Sequence, residues 1–310
     1  MKRLLLAAVA LLVVAAGLLY FAFPRALYGL SIRLERKTAG LSAKTLQVGA
    51  YTIAYTEGGR GEDMLLVHGF GANKDNWNRI ARYLTPRFRV IALDLPGFGE
   101  SSRVQADSYS IRDQVGRLDL IAAALGLESF HLAGNSMGGA IAGRYAAEFP
   151  QKVKTLALLN AGGLKTCPNP SELSREIAAG RNRLLTTTAE DFDGFLEFVF
   201  VDPPWIPGPV KAHLSRQSIE DQPFREKVFR EIQDEGSSLE PVLAEIQAKT
   251  LILWGDRDRL IDVSCTQVLE KGLARAQTVI LENCGHAPMI ERPQETAQRY
   301  LEFLEGASNL

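Results

Sequence analysis

Ser136 lies in the run Gly134-Asn135-Ser136-Met137-Gly138, directly after an apolar segment and directly before a stretch of small residues that reads as a helix. A serine hydroxyl is a poor nucleophile near neutral pH and needs a general base. Placed on a tight strand-to-helix turn, it is held out at the edge of a sheet, and glycines on either side remove side chains that would collide across the turn. The chemistry this suits is nucleophilic acyl transfer. Four histidines could supply the base. His131 sits inside Phe130-His131-Leu132 and is expected to pack structurally. His213 falls in a polar helical stretch and is expected at the surface. His68 opens a Gly-rich turn after Val67 and is expected to brace it. His286, in Cys284-Gly285-His286-Ala287-Pro288 just beyond the last apolar run, is the expected base.

The base needs an acid that fixes its tautomer and stabilises the imidazolium. The apolar run Leu251-Ile252-Leu253-Trp254 ends in Gly255-Asp256-Arg257-Asp258, where two acids compete. Asp258 is the choice, because the third residue after the glycine is better placed to look back over a sheet edge. Asp256 is the fallback, with bonding of loop amides as its expected role. The developing oxyanion needs two aimed N–H donors. The amides of Met137 and of Phe70, in His68-Gly69-Phe70-Gly71, are the candidates. Gly69, Phe70 and Met137, joined by Phe198 and Trp205, are the expected lining of a substrate site. This chemistry calls for no cofactor and no metal.

These residues must be positioned by a sheet. Short apolar runs at 45–48, 51–56, 64–67, 89–93, 129–134, 155–160, 250–254 and 278–281 read as strands. Helical stretches lie between the later ones, at about 75–85, 110–126, 137–149, 264–274 and 293–305. Continuous apolar runs such as Thr155-Leu156-Ala157-Leu158-Leu159 suit strands covered by helices on both faces. The expectation is an α/β fold with a mostly parallel eight-stranded sheet and an antiparallel start. Residues 164–241 interrupt the rhythm with Phe192, Phe195, Phe198, Phe200, Trp205 and several prolines. They are expected to form a helical cap after the sixth strand, on a core of residues 46–163 and 242–310. The aromatics suggest an apolar acyl site; forming the cap's own core is the plainer alternative.

The 310 residues carry 35 basic and 36 acidic side chains, a net charge of −1, which excludes a strongly basic nucleic-acid binder. Three cysteines, at 167, 265 and 284, are too few and too scattered for a disulfide framework or a zinc site. Lys2 and Arg3 precede an uncharged run over residues 4–23, long enough to span a bilayer. An uncleaved transmembrane anchor over residues 1–23 is expected; a signal peptide cleaved after Val14-Ala15-Ala16 is the rival. Residues 24–45 read as a juxtamembrane segment, with 26–41 as a basic amphipathic helix on the bilayer or a solvated linker helix. Basic residues flank both ends of the apolar run, so orientation rests on weak asymmetry; the globular part is placed outside the inner membrane, in the periplasm. Expected partners are the lipid bilayer and an acyl-ester substrate, with the N-terminal helix a candidate homodimer contact.

The chain resembles the α/β-hydrolases of the lipase and esterase branch. Ser136, Asp258 and His286 follow in the order of that superfamily. His68-Gly69-Phe70-Gly71-Ala72-Asn73-Lys74-Asp75-Asn76-Trp77, Pro203-Pro204-Trp205-Ile206-Pro207 and Glu282-Asn283-Cys284-Gly285-His286 are similar to membrane-anchored monoacylglycerol lipases and to a bacterial inner-membrane phospholipase A1. The resemblance covers roughly residues 50–305 and implies a serine hydrolase acting on glycerolipid acyl esters, with monoacylglycerol, lysophospholipid and phospholipid unresolved. Two loops, Asp94-Leu95-Pro96-Gly97-Phe98-Gly99-Glu100-Ser101 and Glu291-Arg292-Pro293, read as scaffolding, and Cys284 as a small packing residue. A hydrolase of carbon–carbon bonds in ring-cleavage products shares Gly134-Asn135-Ser136-Met137-Gly138-Gly139, but has Trp after its catalytic histidine where Ala287 stands here. Dehalogenases and epoxide hydrolases carry Asp at the nucleophile. A non-catalytic binding scaffold would show a degraded triad, and no position of the triad is lost.

Overall fold

The computed structural model describes residues 20–308, with Lys2, Leu5 and Gly17. The expected anchor therefore lies almost entirely outside the described residues. Among the described residues, no helix is long and apolar enough to cross a membrane.

Eight strands form one sheet: β1 (Leu41–Val48), β2 (Tyr51–Gly59), β3 (Glu62–Val67), β4 (Phe88–Leu93), β5 (Phe130–Asn135), β6 (Val153–Leu159), β7 (Lys249–Gly255) and β8 (Ala276–Leu281). Their order is β1-β2-β4-β3-β5-β6-β7-β8. The β1–β2 and β2–β4 pairs are antiparallel and all later pairs are parallel. Side chains alternate faces along each strand. Leu65 and Val67 therefore join one apolar core and Met64 and Leu66 the other. With helices over both faces, β3 to β7 are buried throughout their apolar length, which is why they read as unbroken hydrophobic runs.

The helices are α1 (Pro24–Thr38), α2 (Asn78–Leu84), α3 (Ile111–Ala124), α4 (Met137–Glu148), α5 (Glu172–Ala178), α6 (Ala189–Val199), α7 (Gly208–Glu220), α8 (Gln222–Glu231), α9 (Thr266–Gly272), α10 (Pro288–Glu291) and α11 (Pro293–Ser308). The insertion between β6 and β7 holds α5 to α8 and no strand. α1 begins with Pro at its first position, where a missing N–H costs nothing. It ends earlier than the 26–41 reading, because Gly40 at φ +68 closes it, with its amide on the Lys37 carbonyl. The chain then enters β1 at Leu41, opposite Gly58, four residues before the expected start of the strand. Arg36 anchors α1 to the core through a two-pronged bond to Asp75, both arms 2.6 Å.

The scattered cysteines form no framework, yet two of them form a bridge: Cys167 is disulfide-bonded to Cys265 across 98 residues of sequence. Cys167 leads into the insertion and Cys265 precedes α9, so chain topology brings together what spacing could not. Cys284 is buried and free. Burial pushes its thiol up to about 12, which fits the packing role and removes thiolate reactivity.

Candidate active site

β5 ends at Asn135 and α4 begins at Met137, so Ser136 alone makes the turn. It adopts φ 56 and ψ −122, a region where an L-residue is strained. Glycines make the turn possible. A Cβ on Gly134 would lie 2.1 Å from the Gly138 carbonyl oxygen, and one on Gly138 would lie 2.2 Å from that of Val67. The Ser136 carbonyl accepts from the amides of Gly139, Ala140 and Gly162, and its own amide donates to Leu159. Across residues 130–143 every position is buried except Ser136. The strained residue is thus the one that reaches solvent.

The structure brings His286 and Asp258 together. His286 Nδ1 lies 2.8 Å from Asp258 Oδ2, and both residues are buried. Asp258 Oδ1 accepts from the amides of Leu260 and Ile261, and its Oδ2 also accepts from Asn160 Nδ2 at 2.7 Å. Its two oxygens thus meet four partners. With Nδ1 donating to Asp258, the histidine's Nε2 is left as its basic atom. Asp256 takes the other role: its side chain accepts from the Cys284 amide at 3.3 Å.

The Gly69–Ala72 segment is a turn closed by the Ala72 amide on the Gly69 carbonyl, with Gly71 at φ +68. A turn of that kind uses the amide of its fourth residue and leaves that of its second, Phe70, outward. Met137 is the first residue of α4, whose amide has no intrahelical acceptor. Gly69 abuts the nucleophile turn: a Cβ there would lie 3.0 Å from Ser136 Cβ. His68 braces this loop from behind. Its Nε2 accepts from the Leu95 amide at 3.1 Å and its Nδ1 donates to the Gly69 carbonyl at 2.7 Å. Burial holds its pKa below the usual histidine value. Lys74, equally buried, bonds Asp94 Oδ2 at 2.7 Å and Glu100 at 2.6 Å. Burial opposes its charge, but the Asp94 and Glu100 carboxylates outweigh it and leave the ammonium above its usual range.

The other two histidines lie away from the Asp258 pair, and His213 is less exposed than the surface position expected of it. His131 bonds Thr155 at 2.9 Å within the sheet, and His213 is a half-buried residue of α7 beside Tyr28. The two cap aromatics differ sharply in exposure. Phe198 is packed into the core with the guanidinium groups of Arg183 and Arg259 over its ring. Trp205 is 83% exposed, on a stretch whose prolines keep it out of any helix. Residue type alone marked these as apolar, and it does not say which way a loop turns them.

Two positioning residues, Asn135 and Asn160, were given no role from sequence. Asn135 Nδ2 donates to the His286 carbonyl at 3.0 Å, and Asn160 Nδ2 holds Asp258. Each is a polar residue at the carboxyl end of a buried apolar strand, and that is the signal that could have found them. Glu291 accepts from Val201, Asp202 and Gly285 and so ties the cap to the histidine loop.

Residues 64–293 match the α/β-hydrolase fold family. Lipase 1 of Psychrobacter immobilis is 37% identical, over 88% of this chain and 87% of its own length. Monoacylglycerol lipase ABHD6 of Mus musculus is 33% identical, over 94% of this chain and 90% of its own. The crystal structure of a bacterial membrane phospholipase A superposes with a TM-score of 0.92 at 48% identity, and the match covers 100% of both chains. With its fold, its strand-to-helix turn and this breadth of similarity, the chain belongs to the α/β-hydrolase fold family.

Proposed function

We propose that the protein is a serine hydrolase that cleaves carboxylic esters of glycerolipids through an acyl-enzyme. The observation that carries this is the pairing of His286 with Asp258, tied through the His286 carbonyl to Asn135, the neighbour of a serine held on a strained, glycine-flanked turn. His286 takes the proton of Ser136 as Oγ attacks the ester carbonyl. The amides of Phe70 and Met137 hold the oxyanion. As the ester C–O bond breaks, His286 returns the proton to the leaving alcohol. Water, deprotonated by the same imidazole, then hydrolyses the acyl-enzyme and regenerates the serine. The lipase and phospholipase similarities support the substrate class.

Membrane attachment through residues 1–23, with the globular part in the periplasm, belongs to the same proposal. Its support is the uncharged run over 4–23 and the exposed Leu30 and Leu34 of α1 beside basic residues. The similarity to a membrane phospholipase A and the Cys167–Cys265 bridge add to it, since disulfides persist in oxidising compartments. Within it, residues 24–45, whose last five are the start of β1, join the anchor to the core, and 164–241 form the cap.

Ser136→Ala is expected to lower turnover by about 10⁴-fold or more with an unchanged melting temperature, and to abolish labelling by a fluorophosphonate. Retained esterase activity in that variant would remove Ser136 from its role. A panel of monoacylglycerols, lysophospholipids and phospholipids with one acyl chain sorts the substrates.

A further inference from the structure

The cap places a cation against the turn that carries Phe70. Arg225 lies on α8, and its Nη1 and Cζ are 3.5 and 3.6 Å from the position a Cβ on Gly71 would occupy. Phe229, one turn further along the same face, packs edge-on to Phe70 with ring centroids 5.8 Å apart. This face of α8 therefore covers the turn beside the nucleophile. A Cβ on Gly69, two residues before Gly71, would lie 3.0 Å from Ser136 Cβ. Two residues of chain span at most about 7 Å.

Arg225 is poorly matched by protein. Among the described residues its one side-chain hydrogen bond is Nη1 to the buried Ser218 hydroxyl, 2.7 Å, and that hydroxyl is shared with Thr186. Among the described residues no carboxylate lies within ion-pair distance of it. Asp221, one turn earlier, is taken by Arg103 at 2.8 Å. Burial lowers the Arg225 pKa from its usual value, with Arg103 acting in the same direction against Asp221. A guanidinium withdrawn from water without an anion is costly, and its planar fork fits phosphate with two parallel bonds.

We propose that Arg225 is a specificity-determining residue that binds the phosphate of a glycerophospholipid substrate while its acyl ester is seated at Ser136. The proposal rests on the ester-hydrolase reading and narrows it. Three glycerol carbons separate a primary acyl ester from the phosphate, which matches a cation beside the oxyanion turn. Ser218 aims one arm of the fork and leaves the remaining N–H groups for the ligand.

The test compares two substrates of one acyl chain, 1-acylglycerol 3-phosphate and 1-acylglycerol, which differ only by the phosphate. Wild type is expected to favour the phosphorylated ester in kcat/KM. In Arg225→Gln that preference should fall by about 10–100-fold. In Arg225→Lys, which keeps the charge and loses the fork, it should fall part of the way. An unchanged preference, or equal losses on both substrates, overturns the proposal and leaves Arg225 a packing residue. Fluorophosphonate labelling of Ser136 in the same preparations reports on the hydrolase reading separately. Calorimetric binding of glycerol 3-phosphate and of inorganic phosphate needs no turnover. Binding of either that is lost in Arg225→Gln supports the cation. Tighter binding of glycerol 3-phosphate marks the lipid headgroup as the ligand, and equal binding marks phosphate alone. Binding that persists in the variant, or is absent from wild type, overturns the assignment.

Discussion

Asp258 holds its histidine with one oxygen and two backbone amides with the other. Asp258→Asn would exchange an acceptor for a donor at one of those places. If the amide nitrogen faces His286, the imidazole loses the tautomer with Nε2 basic; if the oxygen does, two amides lose their acceptor. A fall in kcat of about 10⁴-fold is expected. Asp256→Asn, whose side chain meets the Cys284 amide at 3.3 Å and Arg257 at 3.6 Å, should stay within about threefold of wild type, a difference of roughly 0.65 kcal/mol. Steady-state rates on a soluble acyl ester decide it, and a larger loss at Asp256 than at Asp258 would reverse the roles. Residue scale is also where sequence was most informative. Ser136, Asp258 and His286 each sit just past an apolar run, and the geometry of parallel sheets sends such positions to one edge. Arg225 carried no comparable mark, since an arginine on an amphipathic helix looks the same whether it faces water or a turn.

At the scale of elements, the loop after β3 is a rigid part with a titratable brace. His68 accepts a backbone amide at Nε2, so protonation there would remove that acceptor and charge a fully buried ring. Its folded pKa is lowered, chiefly by burial. The unfolded chain therefore binds the proton first, and stability is lost as pH falls below the unfolded value of about 6.5. His131, also held low by burial with Glu62 opposing, contributes with the same sign. Melting temperature should decline from pH 7.5 to 5.5, and His68→Gln should melt lower at neutral pH with a flatter decline. A decline as steep as in wild type would assign the acid sensitivity to other groups. Strand positions were legible because burial on both faces forces continuous hydrophobicity. The ends were not. β2 extends through Glu57-Gly58-Gly59 on backbone pairing to β4, where no apolar alternation announces a strand. The end of α1 depended on the left-handed conformation of Gly40, a choice that side-chain periodicity does not carry.

At the scale of the molecule, the disulfide ties the cap covalently to the core, beside non-covalent contacts such as those of Glu291 and the Arg103–Asp221 pair. The bridge closes a loop across 98 residues that contains all four helices of the insertion, α5 to α8. Chain-entropy arguments put such a loop at about 4–5 kcal/mol, with measured bridges more often at 2–4. Cys167→Ala with Cys265→Ala should lower the melting temperature by several degrees and make it indifferent to reductant, while wild type loses a similar amount when dithiothreitol is added. Equal melting of the two proteins without reductant would show that the bridge adds nothing to the fold.

That covalent tie has a practical consequence for anyone who prepares the protein. Of its three cysteines, one is free in the bridged form, and it is buried. Denatured without reductant, bridged material should release a single thiol to a colorimetric reagent, and material matured in a reducing cytosol should release three. Two batches with the same sequence can thus be different substances, and counting their sulfhydryls tells them apart before any rate is compared.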